Sequence, residues 1–589
     1  MHTVLTSLNA KYIHTNLAIR YLKAYASEEF NVSITEYTIK DPIMNIVTDL
    51  YKRQPEVIGF SCYIWNIKES IEVIKMLKKI DPQLVIIVGG PEVTYDTKHW
   101  METVPEIDFI SIGEGEATFK QFLQAINDKS SIEEVSGLAY RDDGKIIMNP
   151  QRNKIDLKTL PSPFNFKEDL PHLSKRVTYI ETSRGCPFSC QFCLSSIEVG
   201  VRYFDREKIK EDIRHLMRNG AKTIKFVDRT FNISRSYALE MFQFLIDEHI
   251  PGTVFQFEIT ADIMRPEVIQ FLNENAPEGL FRFEIGVQST NDETNELVKR
   301  KQNFNKLTRT VSMVKEGGKI DQHLDLIAGL PEEDYHSFRQ TFNDVFALRP
   351  EELQLGFLKM LRGTGLRLSA DKHQYIFMDT PPYEILGNNV LSFDDIIKIK
   401  QVEDVLEKYW NDHRMDETIE FIVCELFDTP FDFFQQFGSY WEVHDWSRIG
   451  HQLEDLFYRL YEFIKASSSK QSAQLTKDLL TYDYLRLQKH RPRKSWWKGN
   501  TLTKEEQKQI YKVILQTPET IGGNFSKQPL LEKDLFKHTR IETFTFDLEH
   551  YLKKKEIKLQ ETLVLFYYKN ENVQLYSSPL DEIQKKTRS

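Results

Sequence analysis

The sequence is poor in cysteine, with five in 589 residues, and it has no long apolar run. No uninterrupted apolar stretch reaches the roughly 18 to 20 residues that a membrane-crossing helix needs. The opening "MHTVLTSLNAKYIHTN" lacks the basic start, apolar centre and small-residue cleavage site of a secretory signal, so a cytoplasmic location and no membrane are expected. Positive charge is not in excess either. The formal charge of -10 argues against a surface devoted to nucleic acid and leaves only local basic patches open. Apolar content of 41% with 28% charged residues is that of a globular protein, and the length calls for about two to four domains. Against this scarcity, "RGCPFSCQFCLSS" (184–196) gathers Cys186, Cys190 and Cys193 in one loop. In a reducing compartment such a group points to a metal rather than to disulfides.

Residues 1–135 alternate short apolar runs with amphipathic stretches. Strands are expected at 2–8, 32–39, 57–65, 84–90 and 107–115, with helices such as "NLAIRYLKAYA" and "ESIEVIKMLKKI" between them. That alternation implies right-handed crossovers and a doubly wound, Rossmann-like parallel sheet whose ligand sits at the strand carboxyl ends. "GLAYRDDGKIIMN" reads as a hairpin turning at Asp143-Gly144, and "LPSPFNF" as a linker; together they occupy 136–171. A second alternating series spans 172–375, with strands at 177–183, 223–231, 254–262, 280–289, 323–330 and 352–361. Six strand–helix repeats suggest a partial (β/α)6 barrel, whose chemistry belongs at the strand C-terminal ends. The cysteine loop follows the first of these strands. From 376 to 589 the pattern turns to polar-aromatic helices, a Ser/Gln connector "KASSSKQSAQ" and Thr/Phe/Tyr-rich segments, a mixed and mostly helical accessory domain without a chemical motif.

Three thiolates spaced C-x3-C-x2-C can take three corners of a four-iron, four-sulfur cube, which leaves one iron open to a substrate. A structural zinc site closes with four ligands, and no histidine lies near this loop to complete one.

With this spacing and Phe192 before the third cysteine, the loop resembles the radical SAM superfamily, over about residues 172–370. The resemblance implies that the open iron of a 4Fe-4S cluster chelates S-adenosylmethionine, which one electron from a flavodoxin- or ferredoxin-type donor splits into a hydrogen-abstracting radical. "DLIAGLPE" is similar to the family's G-x-I-x-G-x-x-E, keeping Ile327, Gly329 and Glu332 but placing Asp325 at the first glycine. "GVQS" is similar to the ribose- and methionine-contacting segment and nominates Gln288 and Ser289. Asp228 and Glu258, on neighbouring strands, are further candidates for S-adenosylmethionine, or equally salt-bridged barrel residues.

A doubly wound domain ahead of such a barrel resembles the cobalamin-binding subclass. Gly89 and Gly90 end the fourth strand, Gly113 and Gly115 follow the fifth, and Ser61 ends the third, where backbone can approach a large ligand. The D-x-H-x-x-G motif of histidine-ligated cobalamin proteins is absent, because His14 has Tyr12 before it and Leu17 after. His14 is read as a helix-start or surface residue, and Tyr12, Tyr63 or Trp65 as candidates for the corrin face. Methylthiotransferases, which share this order of domains, need three further cysteines; only Cys62 and Cys424 are left, and Cys424 is read as a core thiol. "QKHRPRKSWWKGN" (488–500) interleaves basic and aromatic residues, for RNA or for a domain interface. The resemblance implies a cobalamin-dependent radical SAM methyltransferase acting on an unactivated carbon of a small molecule rather than RNA. A radical rearrangement, or a non-catalytic cluster or corrinoid sensor, is the alternative.

Overall fold

A computed structural model describes the chain except residues 198–199, 491, 493–501, 518–531, 569–572 and 589. It forms two compact units, Met1–Ile396 and Ile397–Ser589.

The first unit begins with strands β1 (His2–Asn9), β2 (Asn31–Thr38), β3 (Val57–Ser61), β4 (Val85–Gly89) and β5 (Phe109–Ser111), paired parallel in the order β2-β1-β3-β4-β5. The helices between them are α1 (Leu17–Ala26), α2 (Ile43–Lys52), α3 (Ile67–Ile80), α4 (Pro91–Thr94) and α5 (Thr97–Thr103), with α6 (Glu116–Asp128) after β5. Alternate strand residues feed two cores, as parallel strands covered on both faces must. Ile58, Phe60, Ile86 and Val88 pack into one, Val57, Ile87, Phe119 and Phe122 into the other. The hairpin β6 (Leu138–Asp142) and β7 (Lys145–Met148) turns at Asp143 and Gly144, both at positive φ. It adds antiparallel to β5, completing a seven-stranded sheet. The hairpin is therefore part of the first sheet and not of the linker.

Six parallel strands follow: β8 (Val177–Ile180), β11 (Thr223–Phe226), β12 (Val254–Ile259), β13 (Phe281–Gln288), β14 (Asp321–Ala328) and β15 (Glu352–Phe357). They pair in chain order as an open sheet with β8 and β15 at its edges. Helices α7 (Arg206–Arg218), α8 (Arg235–Glu248), α9 (Pro266–Asn275), α10 (Asp292–Leu297), α11 (Phe304–Gly317) and α12 (Tyr335–Phe346) connect them. The helix-covered face is aromatic: Phe257 and Phe281 meet Phe242 of α8, and Phe226 stacks on Phe257, within a fully buried cluster. The other face carries charge in pairs, Lys225 with Glu284 at 2.6 Å and Arg282 with Glu352 at 2.5 Å.

Between β8 and β11 the two-residue strands β9 (Ser183–Arg184) and β10 (Arg202–Tyr203) pair antiparallel. After β15, the short β16 (Ile376–Phe377) and β17 (Ile385–Gly387) fold back so that Met360 N donates to Tyr383 O and Ile385 N to Leu358 O. These strands lie within the first compact unit, which ends at Ile396.

The second unit holds helices at Asp416–Glu425, Pro430–Val443, Leu453–Ser467 and Lys470–Leu487. It also holds an antiparallel sheet of β18 (Thr539–Phe544), β19 (Thr562–Tyr567) and β20 (Gln574–Pro579). The expected Ser/Gln connector is helical almost throughout, because Ser469 caps a new helix at once by accepting from Ser472 N; such a cap needs only one hydroxyl. Cys424 is exposed, its thiol 3.2 Å from Glu420, and not a core thiol. On its helix the inward positions fall to Ile419, Ile422 and Val423 instead.

Candidate active site

The cysteine loop is closed at its base by β9 and β10. Asp228, just past β11, accepts from Thr182 N (2.9 Å), Thr182 Oγ1 (2.7 Å) and Ser183 Oγ (2.5 Å). It is 1% exposed, and burial raises its carboxyl above the ordinary range while the three hydrogen bonds oppose that. Asp228 therefore roots the loop, both of its oxygens accepting from the protein. Gly185 sits at φ 98°, and a Cβ there would lie 2.0 Å from Gly200 O, so only glycine lets the loop cross itself.

Within the loop Cys193 N donates to Cys190 O, and Ser196 Oγ to the carbonyls of both Cys190 (2.7 Å) and Cys193 (2.6 Å). Cys186 and Cys190 are buried and Cys193 is half-buried. Burial pushes the thiols of Cys186 and Cys190 up, and all three sulfurs act on one another; the Arg300 guanidinium, 4.0 Å from Cys190 Sγ, opposes the rise at Cys190. Among the described residues no three His, Cys, Asp or Glu side chains stand close enough to hold one metal ion. The corners of a cube lie farther apart than the ligands of a single ion, so three soft donors in mutual electrostatic range fit a cluster better than zinc.

One cavity of about 890 Å³ joins this loop to the first sheet. Phe192 and Cys193 form one wall; Ser61, Tyr63, Gly89, Gly90, Gly113 and Gly115, at the carboxyl edge of β3, β4 and β5, form the other. Gly90 (φ 108°) approaches so closely that a Cβ would meet Cys62 O at 2.4 Å, while at Gly113 (φ 78°) nothing lies within 4 Å. Tyr63 and Trp65 stack with ring centroids 4.3 Å apart at 9°, and Trp65 keeps 46% exposure beside the cavity. A glycine-floored, aromatic-flanked hollow at a sheet's carboxyl edge fits a large planar cofactor. Tyr12 does not line it. Its ring lies under Arg176 and its hydroxyl 3.3 Å from His172 Nδ1. His14 is half-buried, not a surface residue, with Nδ1 2.7 Å from the Tyr179 hydroxyl on β8.

The other expected contacts scatter. Ile327 lines the cavity. Gln288 sits at positive φ (70°) beside a β-bulge, its Oε1 buried without a partner among the described residues. Ser289 Oγ is committed to Glu333 Oε1 at 2.5 Å. Gly329 accepts from the Tyr375 hydroxyl, and a Cβ there would meet Ile385 at 1.9 Å, so this glycine serves packing. Glu258 shares the charged face of the barrel; burial raises its carboxyl, opposed by Arg229 and Lys225.

Several residues that fasten the cavity carry no local sequence signal. Arg184, beside the cysteine loop, reaches Glu116 (2.6 Å) and Glu181 (2.7 Å), and Arg202 pairs with Glu114. These bonds tie the "GEGE" turn after β5 to the loop. Arg362, past β15, donates to Glu92 at 3.2 Å and also pairs with Asp96; Glu92 accepts from the Tyr383 hydroxyl at 2.5 Å. Leu366 N donates to Gln191 O. The segment 360–366 therefore grips the first sheet's α4 turn with one end and the cysteine loop with the other.

Comparison with known proteins agrees with this geometry. A B12-binding domain model matches residues 4–123, and a radical SAM superfamily model residues 180–345. The chain thus carries a B12-binding domain ahead of a radical SAM domain. A third model, described only as a protein of unknown function (DUF4080), matches residues 371–566. An uncharacterized methyltransferase of Pyrococcus horikoshii, PH0819, is 30% identical over 236 residues, covering 38% of this chain and 51% of its own. The cobalamin-dependent radical SAM methyltransferase TokK of Streptomyces tokunonensis is 24% identical over 395 residues, 63% and 57% of the two chains. The chain thus spans about half the length of the curated relatives it matches. The solved cobalamin-dependent S-adenosylmethionine radical enzyme OxsB shares its fold, with a TM-score of 0.57 and 16% identity over 83% of this chain and 79% of OxsB.

Proposed function

We propose that this protein is a cobalamin-dependent radical SAM enzyme that methylates an unactivated carbon of a small molecule. The single cavity shared by the cysteine loop and the glycine-floored sheet edge supports this reading, because both reactive partners must reach one substrate. When bound, a 4Fe-4S cluster with S-adenosylmethionine supplies a hydrogen-abstracting radical and cobalamin supplies a transferable methyl group. Cys186, Cys190 and Cys193 would hold the cluster, and Arg300 steadies the Cys190 thiol. Gln288, with its unpartnered Oε1, and Glu258 are suited to polar groups of S-adenosylmethionine, and Phe192 and Ile327 to its apolar edges. Gly89, Gly90, Gly113 and Gly115 would give cobalamin backbone contact, with Ser61 near its nucleotide tail and the Tyr63–Trp65 stack at its side. The walls exclude water from the radical by apolar side chains such as Phe357, Leu358 and Leu361. A flavodoxin- or ferredoxin-type donor and a cytoplasmic setting complete the reading.

Anaerobic reconstitution followed by dithionite tests it. The wild type should release 5′-deoxyadenosine and retain a corrinoid after desalting, and replacing the three cysteines by Ala should abolish the first and spare the second. A protein that retains no corrinoid refutes methyl transfer. One that retains cofactors without cleaving S-adenosylmethionine is a sensor.

A further inference from the structure

The cavity is lined by four carboxylates and four cations, but they do not all pair with one another. Four carboxylates line it, those of Glu92, Glu114, Glu116 and Glu181. Each has a cation or hydroxyl of the protein on it: Glu92 has Arg362 and Tyr383, Glu114 has Arg202, and Glu116 and Glu181 share Arg184. Two lining cations are left over, Arg229 and Lys359. Arg229 follows Asp228 at the root of the cysteine loop, and its charge acts on Cys186 and Glu258. It belongs with the cluster side. Lys359 stands across the sheet, two residues past the end of β15 at the opposite edge from β8. It is exposed, and among the described residues its ammonium has no hydrogen bond, ion pair or ring contact. The lining residues nearest to it in the chain are Phe357, Leu358, Leu361 and Arg362, and the last is already paired with Glu92 and Asp96. An ammonium with no acid of the protein on it is open to a charge-assisted hydrogen bond from an anion in the cavity.

We infer that Lys359 anchors the substrate, and that the substrate is a small molecule bearing a carboxylate or a phosphate. This rests on the cavity's reading as the place where the substrate is methylated, and it adds the substrate's charge and the residue that selects it. The glycines line the opposite wall at the edge of β4 and β5, and the cluster side has its own cation in Arg229, which leaves Lys359 as the lining cation for a third molecule. The anion would be held at the barrel edge, orienting the apolar remainder of the molecule between the cysteine loop and the sheet edge.

The test is made on unreduced full-length protein loaded with cluster and cobalamin, where no turnover can intervene. A small-molecule cell extract is separated into pools retained and not retained by an anion exchanger. Each pool is incubated with the protein, and bound compounds are identified by mass spectrometry after rapid desalting. Wild type should retain compounds from the anionic pool. Lys359→Ala should weaken their retention roughly ten- to a hundredfold, the range for losing one charge-assisted bond. Lys359→Arg should preserve it, and unchanged corrinoid content confirms folding of both variants. Phosphatase treatment of the pool removes the ligand if it is a phosphate ester and leaves it if it is a carboxylate. Equal retention by wild type and Lys359→Ala, retention only from the uncharged pool, or no retention overturns the inference. Dithionite-driven 5′-deoxyadenosine formation, measured separately, reports on the enzymatic reading itself.

Discussion

Replacing Arg362 by Met keeps the side chain's bulk and removes its charge and donors. Arg362 and Glu92 are only 9% and 4% exposed, and stripping one partner from a buried pair costs about 3–5 kcal/mol. The Tyr383 hydroxyl would still serve Glu92, and Asp96, the other acid on Arg362, is 39% exposed and can turn to water. An opening cost reduced by about 2–4 kcal/mol follows, or roughly 30- to 700-fold faster local opening. Because the chain has several domains, a global unfolding energy is the wrong readout. Hydrogen exchange at the amides of Met360 and Leu366, which bond Tyr383 O and Gln191 O, reads the segment directly. Those amides should exchange faster, while those of β19 should not change. Glu92→Gln in the same background removes the stranded charge, so the double variant should recover part of the loss. Unchanged exchange at Met360 and Leu366, or an Arg362→Met effect of equal size with Gln at 92, refutes the clamp.

Glu333 is fully buried with Ser289 and Thr341 donating to Oε1 and, among the described residues, no partner on Oε2; burial pushes its carboxyl up to about 7. The folded state then holds a proton that the unfolded chain releases, so stability is highest below the unfolded value and declines as pH rises towards 7. Glu333→Gln should flatten that decline, gaining a few degrees in thermal midpoint near pH 8 and little near pH 4.5; a constant offset across pH would refute it. Asp228→Asn replaces an acceptor by a donor facing Thr182 or Ser183, at about 1–3 kcal/mol, and should lower iron incorporated per chain while corrinoid binding persists. Gly90→Ala forces a Cβ against Cys62 O in a backbone region nearly confined to glycine, about 1–3 kcal/mol of strain before the clash is relieved. Corrinoid retention should fall while the iron content holds.

The strands were legible because each is a short apolar run bounded by a periodic helix, and all eleven lie where the patterning puts them, often a few residues shorter. The cysteine loop was legible because spacing alone carries its chemistry. What escaped is what sequence distance hides. Arg362 and Glu92 are 270 positions apart, and nothing near either residue names the other. Asp228 shows the opposite difficulty: a carboxylate at a strand end is where a ligand contact belongs, yet three local donors claim it first. Ser289 and Gly329 are similar, claimed by Glu333 and by Ile385 and Tyr375. The three-stranded sheet of the second unit was missed since its middle strand β19 is buried on both faces and shows no alternation. The basic-aromatic stretch 488–500 lies almost wholly outside the described residues.

Of the loop's three cysteines only Cys193 borders the cavity, and the two buried ones do not line it. Dioxygen and chelators arriving from that side must therefore pass whatever fills the hollow. A chain loaded with corrinoid first would guard its inorganic core against air, and one stripped of it would bleach quickly, so the order in which the two prosthetic groups are installed becomes a matter of survival outside the glove box.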